Sequence, residues 1–221
     1  MAPIQLTVSD MLAHAGQRMC VVNVTLVPRS VHCFSRVRAN MGGGVRVAIT
    51  GTPGVGKSTV SRILEGRGFM LVSVEGLAED FECVGEVDPE DGARPIDIEK
   101  LGGCLSEAWA RPMDGVGIVD GHLSHNLPVE AVVVLRCSPD TLRIRLSERG
   151  YSEGKINSNC EWELLGGAWN DWDERLPWTE FDTTAEEIGS VVDKIERWIS
   201  DGFKPMSIGS TIDWVAHMEE S

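Results

Sequence analysis

Residues 44–65 read GVRVAITGTPGVGKSTVSRILE, and no other stretch limits the possible folds as tightly. Gly51-Thr52-Pro53-Gly54-Val55-Gly56-Lys57-Ser58 has the spacing G-x-x-x-x-G-K-[ST] of a phosphate-binding P-loop. The flanks agree with it. Val45, Val47 and Ile49 alternate into the loop as a buried strand does, and Val60, Ile63 and Leu64 follow at helical spacing. Glycines let the backbone curl until successive N–H groups point inward as an anion nest. The helix behind adds the positive end of its dipole. Lys57 can then reach the β- and γ-phosphates, and the Ser58 hydroxyl can ligate Mg²⁺. The expectation is a chain that binds a nucleoside triphosphate.

Charge and cysteines narrow the partners. The net charge is −14 over 221 residues, one large domain or a domain with an appendage. Residues 1–40 hold four Arg against one Asp, which leaves −17 on residues 41–221. So acidic a body repels nucleic-acid phosphates over most of its surface. It suits a basic protein partner, or a salty cytoplasm in which excess carboxylates aid solubility. No apolar run approaches the ~20 residues that cross a bilayer, so no membrane partner is expected. The six cysteines, at positions 20, 33, 83, 104, 137 and 160, have neither zinc-knuckle nor C-x-x-C spacing. A reducing, cytoplasmic setting is the simplest reading.

From Val45 onward strands and helices alternate, the pattern of βαβ units around a parallel sheet. Strands are expected at Val45–Thr50, Phe69–Val74, Gly117–Asp120, Ala131–Arg136 and Thr179–Thr183. Helices are expected from Lys57 to Glu65, from Asp97 to Ala110, and from Ser138-Pro139 to Arg149, where Pro takes the first helical position. Another runs from Lys155 towards Trp172, weakened by Gly166-Gly167 at roughly 1 kcal/mol each. Thr184-Ala185-Glu186-Glu187 reads as a capping box opening a helix to Ile199. Glu75 to Asp91 is a polar stretch with eight carboxylates and no basic residue. The fold class that follows is α/β: a three-layer P-loop NTPase fold, a five-stranded parallel sheet with helices on both faces. Three parts are expected: an N-terminal extension 1–40, a kinase domain 41–200, and a tail 201–221 whose Ile212, Trp214 and Val215 can dock on the body. The extension is an organellar transit peptide, an added β-rich element around Cys20–Val27, or an over-extended gene start. The last is favoured, with translation beginning at Met41.

Two further groups carry chemistry. Gly117-Ile118-Val119-Asp120 is a short apolar run stopping on a carboxylate, the second acidic group that such a loop needs for Mg²⁺. His122 follows two residues later, and alternate residues at a strand end point the same way. His122 therefore faces the phosphates with Asp120, or is a loop histidine bonded to backbone. Arg143, Arg145 and Arg149 lie on the helix after strand four. Phosphoryl transfer spreads negative charge that cations stabilise. Arg149 at the helix edge can act as a lid over bound ATP; the other reading is a solvated basic face balanced by Glu148 and Glu153. Trp162, Leu165, Trp169 and Trp172 share one helical stripe and read as core.

The residues Gly51-Thr52-Pro53-Gly54-Val55-Gly56-Lys57-Ser58-Thr59, Val119-Asp120-Gly121-His122 and Leu135-Arg136…Leu146…Arg149-Gly150-Tyr151-Ser152-Glu153…Lys155 together resemble the adenylate kinase isoenzyme 6 family, above all its archaeal members. The resemblance spans Val45 to Ile199. It implies a broad-specificity adenylate kinase moving the γ-phosphoryl group of ATP to AMP, with ATPase activity. It also implies a role in small ribosomal subunit maturation and rRNA processing, on a basic small-subunit ribosomal protein. By position, Gly54, Gly56, Lys57, Ser58 and Thr59 would hold the ATP phosphates, Ser58 and Asp120 the Mg²⁺, and Arg149 would be the lid arginine. Asp120 and His122 match the family's Walker-B-like pair, with Lys57 and Arg149 completing the catalytic set. The monophosphate-binding region falls at about 73–97 and the lid at about 148–158. Two features depart from the family: the extension has no counterpart, and the monophosphate region has Arg94 as its only cation. Arg62, Arg67 and Arg94 are the candidates for the AMP phosphate. Sequence leaves two other readings open, an ATP-switched assembly factor with little kinase activity and a P-loop kinase acting on another small metabolite.

A chain beginning at Met41 is expected to retain activity and a single cooperative melt. Insolubility of that shortened protein would show the extension to be structural.

Overall fold

Val45–Thr50 (β1) is buried at all six residues because it lies in the middle of the sheet. Its neighbours on the two sides are Val116–Asp120 (β3) and Ala131–Arg136 (β4), and both pairings are parallel. Met70–Ser73 (β2) adds outside β3, and Trp178–Asp182 (β5) outside β4. The order is β2-β3-β1-β4-β5. A parallel sheet must have both faces covered by its crossover helices, which is why β1, β3 and β4 read as continuous apolar runs. The computed structural model describes residues 44–87, 94–111 and 113–219. The extension 1–40 therefore lies outside the described residues, as does part of the acidic stretch.

Side-chain alternation along the strands makes the two layers of core. Val47 and Ile49 of β1, Ile118 of β3 and Val133 and Leu135 of β4 face one side. There they meet Val60 and Leu64 of the helix Lys57–Gly66 (α1), and Val191, Ile195 and Trp198 of Ile188–Ser200 (α6). Ala48, Val119, Val132 and Val134 face the other side, against Leu77 of Val74–Asp80 (α2) and Leu101 and Leu105 of Ile98–Ala108 (α3). In α6 the residues Val191, Val192, Ile195, Trp198 and Ile199 recur on one face, a pattern only a helix presents to a flat sheet. Each such side chain, fully buried, contributes about 1.5–3 kcal/mol.

The helix starts follow local chemistry. The side chains of Ser73, Asp97, Ser138 and Ser152 accept from the backbone N–H groups of Gly76, Lys100, Thr141 and Lys155. Each satisfies one orphan donor of a first turn. Pro139 sits at the start of Pro139–Glu148 (α4) as expected. Strand two is shorter than the expected Phe69–Val74, because Ser73 already caps α2. The expected strand Thr179–Thr183 is shifted by one residue, to Trp178–Asp182.

Three expectations are corrected. Thr184-Ala185-Glu186-Glu187 forms no capping box: α6 begins at Ile188, and its cap residue Glu187 makes no side-chain cap bond. Thr184 instead donates to Asp182 and accepts from the Ser138 N–H, tying the end of β5 to the start of α4. Next, the helix Glu153–Leu164 (α5) stops short of Trp172, because Gly166 takes a left-handed φ of 64° and a 3₁₀ turn, Gly167–Asp171, follows. That break dissolves the aromatic stripe. Leu165 is 74% exposed, Trp162 and Trp172 are partly exposed, and only Trp169 packs inward, on Trp178. Finally, the tail docks through two of its three expected residues: Trp214, at the start of Trp214–Glu219 (α7), is buried and the half-buried Ile212 donates its N–H to Glu180, whereas Val215 is exposed.

Ile195→Ala, at a site with no exposed surface, is expected to lower the unfolding free energy by about 2–5 kcal/mol. Urea denaturation checks this, and a midpoint equal to that of the parent would mean that α6 does not seal the core.

Candidate active site

The sequence order places the site. From β1 the chain runs to one side of the sheet for β2 and β3, then to the other side for β4 and β5. A crevice opens at the carboxyl end of a strand where the order reverses, and here that strand is β1. Gly51–Gly56 leaves β1 and turns into α1 there. Gly51 has φ 132°, and a Cβ on it would stand 2.3 Å from the Leu135 carbonyl of β4. Gly54 has φ 97°, and a Cβ on it would meet Leu142 of α4 at 2.8 Å. Both positions demand glycine for conformation and for space. Gly56, with φ 105°, leads directly into α1.

Around this loop lies a cavity of about 230 Å³ lined by Gly54, Gly56, Lys57, Ser58, Thr59, His122 and Arg149, with Pro53, Glu75 and Tyr151. Every phosphate-site residue expected from the sequence therefore converges on one place, and Asp120 stands just behind. A larger apolar cavity near Met70, Val72, Trp109 and Met113, at the other end of the strands, holds none of these groups.

The electrostatics fit anion binding. Burial lowers the Lys57 pKa to about 8, opposed by the carboxylates of Asp120, Glu75 and Glu163 and reinforced by Arg149. Its ammonium donates to the carbonyls of Gly51 (2.8 Å) and Thr52 (3.0 Å), which park it at the loop. Burial pushes the Asp120 carboxyl up, while the Ser58 and Lys57 side chains beside it pull down. Asp120 Oδ1 is buried with no hydrogen-bond partner among the described residues, and Ser61 Oγ is in the same state. A hard cation takes oxygen ligands. An orphaned carboxylate oxygen beside the Ser58 hydroxyl fits Mg²⁺ or one of its waters.

His122 is bonded to backbone and lines the cavity as well. Its Nδ1 lies 3.0 Å from the Gly51 carbonyl, and its ring lines the cavity. A carbonyl only accepts, so Nδ1 carries the proton. Burial lowers the pKa of the ring, which leaves Nε2 as a free acceptor in the neutral form. Behind it, the Thr50 hydroxyl donates to the His122 carbonyl (2.7 Å) and contacts His125 Nδ1 (2.7 Å), and His125 Nε2 meets Asp171 at 3.2 Å.

Arg149 caps α4 and makes no ion pair among the described residues. Arg143 and Arg145 stay away from the cavity. Arg143 binds Glu153 (2.9 Å) and Asn157 (2.8 Å), and Arg145 binds the Thr183 carbonyl (2.7 Å). They clamp α4 to its neighbours. The three candidates for an acceptor phosphate are not in the cavity either. Arg67 is held by Asp193 and Glu196 of α6, Arg94 pairs with Glu79, and Arg62 is absent from the lining. Glu75 lines the site and had no role on sequence grounds; its position just past β2, where Ser73 registers with Asp120, was the available signal. Glu163 was also missed, and nothing in its local sequence marks it.

Residues 47–166 match the AAA domain family. Among curated proteins, the "Putative adenylate kinase" of Archaeoglobus fulgidus is 39% identical over 79% of this chain and 94% of its own length. That of Pyrococcus abyssi is 38% identical over 76% of this chain and 90% of its own. Among solved structures, a gluconokinase from Sinorhizobium meliloti is similar over 72% of this chain and 94% of its own, at 18% identity and a TM-score of 0.48.

The state of Lys57 gives a pH dependence. Its protonated form is the one that attracts phosphate, and that form dominates below about pH 8. Affinity of the free protein for a triphosphate is expected to be full below that pH. Above it, the affinity falls by about tenfold per pH unit, as one proton is lost. Calorimetric titration with a non-hydrolysable ATP analogue between neutral pH and the alkaline limit of stability measures it. An affinity unchanged across the range would mean that Lys57 does not titrate there.

Proposed function

Because the chain belongs to the archaeal adenylate kinase family and folds around its phosphate loop, we propose that it is a nucleotide kinase of the adenylate kinase type. It transfers the γ-phosphoryl group of ATP to AMP. The observation that carries this reading is the convergence of Lys57, Ser58, Thr59, His122 and Arg149 on the cavity at the end of β1. An AMP phosphate oxygen attacks the γ-phosphorus, the bond to the β,γ-bridging oxygen breaks, and two ADP result. The chain positions and stabilises rather than bonds covalently, as phosphoryl transfer requires. The loop N–H groups and Lys57 hold the β- and γ-phosphates, and Arg149 closes from the lid, residues 148–158. Ser58 and Asp120 would hold Mg²⁺, which neutralises phosphate charge when bound. Residues 73–97 form the monophosphate side.

The finer assignment follows the adenylate kinase isoenzyme 6 pattern: ATPase activity beside the kinase, a cytoplasmic setting, and a role in small-subunit maturation with a basic ribosomal protein. A second reading, hydrolysis or another acceptor in place of AMP, is favoured by Glu75. It lines the cavity, where its carboxylate would repel an acceptor phosphate, and among the described residues no arginine besides Arg149 lines it. A coupled assay with ATP plus AMP against ATP alone separates them: turnover that requires AMP supports the kinase, and turnover indifferent to AMP overturns it.

Asp120→Asn is expected to damage both activities together, since it removes the charge nearest the metal position. His122→Ala is expected to depress hydrolysis without AMP more than transfer to AMP. Nε2 can orient or deprotonate a water, help typically worth about 10²–10⁴-fold. Hydrolysis at the parental rate in His122→Ala would leave its ring only the bond to Gly51.

A further inference from the structure

Among the described residues, three of the most buried charged side chains lie below the phosphate loop, and they do not balance. Arg136, at the end of β4, is 1% exposed and pairs with two carboxylates: Glu163 of α5 through Nε (2.7 Å) and Glu180 of β5 through NH1 (3.1 Å). One guanidinium serves two buried anions, so neutral donors must hold the excess charge. The C-terminal segment supplies many of them. Glu180 accepts from the Thr211 N–H and hydroxyl and from the Ile212 N–H. Glu163 Oε1 accepts from the Trp214 indole (3.1 Å) and the Cys137 N–H (3.1 Å). Burial alone would raise the Glu180 pKa, and the Thr211 and Ile212 donors reverse that and hold it below the usual range.

The other oxygen of Glu163 faces the loop. Glu163 Oε2 accepts from Thr52 Oγ1 at 2.5 Å, and Thr52 is itself 2% exposed. The Thr52 carbonyl in turn accepts from Lys57 Nζ. A continuous chain of bonds thus runs from Trp214 through Glu163 and Thr52 to the lysine that meets the phosphates. We propose that Glu163 is a positioning residue for the phosphate loop, fixing Thr52 and through it Lys57, and that Trp214 of the C-terminal segment holds Glu163 in that role. The inference rests on the nucleotide-binding reading of the loop. It places the C-terminal segment, 162 residues beyond Thr52, among the elements that set triphosphate affinity. A bond that merely tied α5 to the loop would affect stability and leave affinity alone; this one affects both.

The test measures affinity for a non-hydrolysable ATP analogue on the full chain, at a temperature where thermal melts show every variant folded. Thr52→Val keeps the shape and removes the hydroxyl. It is expected to weaken binding about tenfold, or ~1.4 kcal/mol, within the range for a hydrogen bond to a charged group. Thr52→Ser is expected to restore most of the loss. Trp214→Phe, far from the cavity, is expected to weaken binding about threefold in the parent and to have no further effect in Thr52→Val, because its influence passes through that hydroxyl. Parental affinity in Thr52→Val, or a Trp214→Phe loss of equal size in both backgrounds, overturns the proposal. Lys57→Ala separates the two levels. If it abolishes binding while Thr52→Val binds as the parent does, only the positioning role fails; if the parent itself binds no ATP analogue, the nucleotide reading falls and this inference with it.

Discussion

Everything in this molecule depends on how β1 ends. The strand is enclosed on both faces by apolar side chains and on both edges by parallel partners. Its last residue therefore has almost no freedom, and the loop that follows starts from a fixed point. Gly51 then turns over the Leu135 carbonyl at a distance no side chain tolerates. The geometry of an anion nest, N–H groups aimed at one point, demands that kind of rigidity. A nest on a mobile loop would spend binding free energy on ordering itself.

Around that fixed loop the charges are arranged in layers. Lys57 is buried enough to lose charge easily, and carboxylates on three different elements restrain that loss: Asp120 on β3, Glu75 on α2 and Glu163 on α5. They stabilise the ammonium without forming a close ion pair that would compete with phosphate; its hydrogen bonds go to loop carbonyls instead. Asp120 keeps one buried oxygen without a hydrogen-bond partner among the described residues. Such an orphan costs about 1–3 kcal/mol.

The lower layer is a buried network whose members come from β4, β5, α5 and the C-terminal segment. Replacing such a network by apolar residues is often neutral or stabilising, while removing one partner leaves an uncompensated charge. Its value here lies in geometry. Arg136, Glu163 and Glu180 lock β4, α5 and β5 together, and the second oxygen of Glu163 reaches the loop through Thr52. The junction of α4 and α5 is held by plainer means, with Arg143 clamping one helix to the other, while Arg149 at the end of α4 lines the cavity.

The parts legible in the sequence were those encoded over short distances. The strand-loop-helix motif, the carboxylate ending β3, the Ser138-Pro139 start of α4 and Arg149 at its end each depend on a few consecutive residues, and the fold places them as read. Where local signals competed, the reading went astray. Thr184 has the chemistry of a cap, but Asp182 and the Ser138 N–H occupy its hydroxyl, so α6 starts later. The tryptophan stripe obeyed helical spacing until Gly166 took a left-handed conformation, and three of its four side chains are exposed. Glu163 carried no local mark at all, and Glu75 only its place just past β2. By itself the sequence determined a triphosphate loop on a parallel α/β sheet, because backbone conformation and strand burial are set by neighbouring residues. Only the tertiary structure decided which distant charges surround that loop, because Thr52, Glu163 and Trp214 become neighbours only when the chain folds.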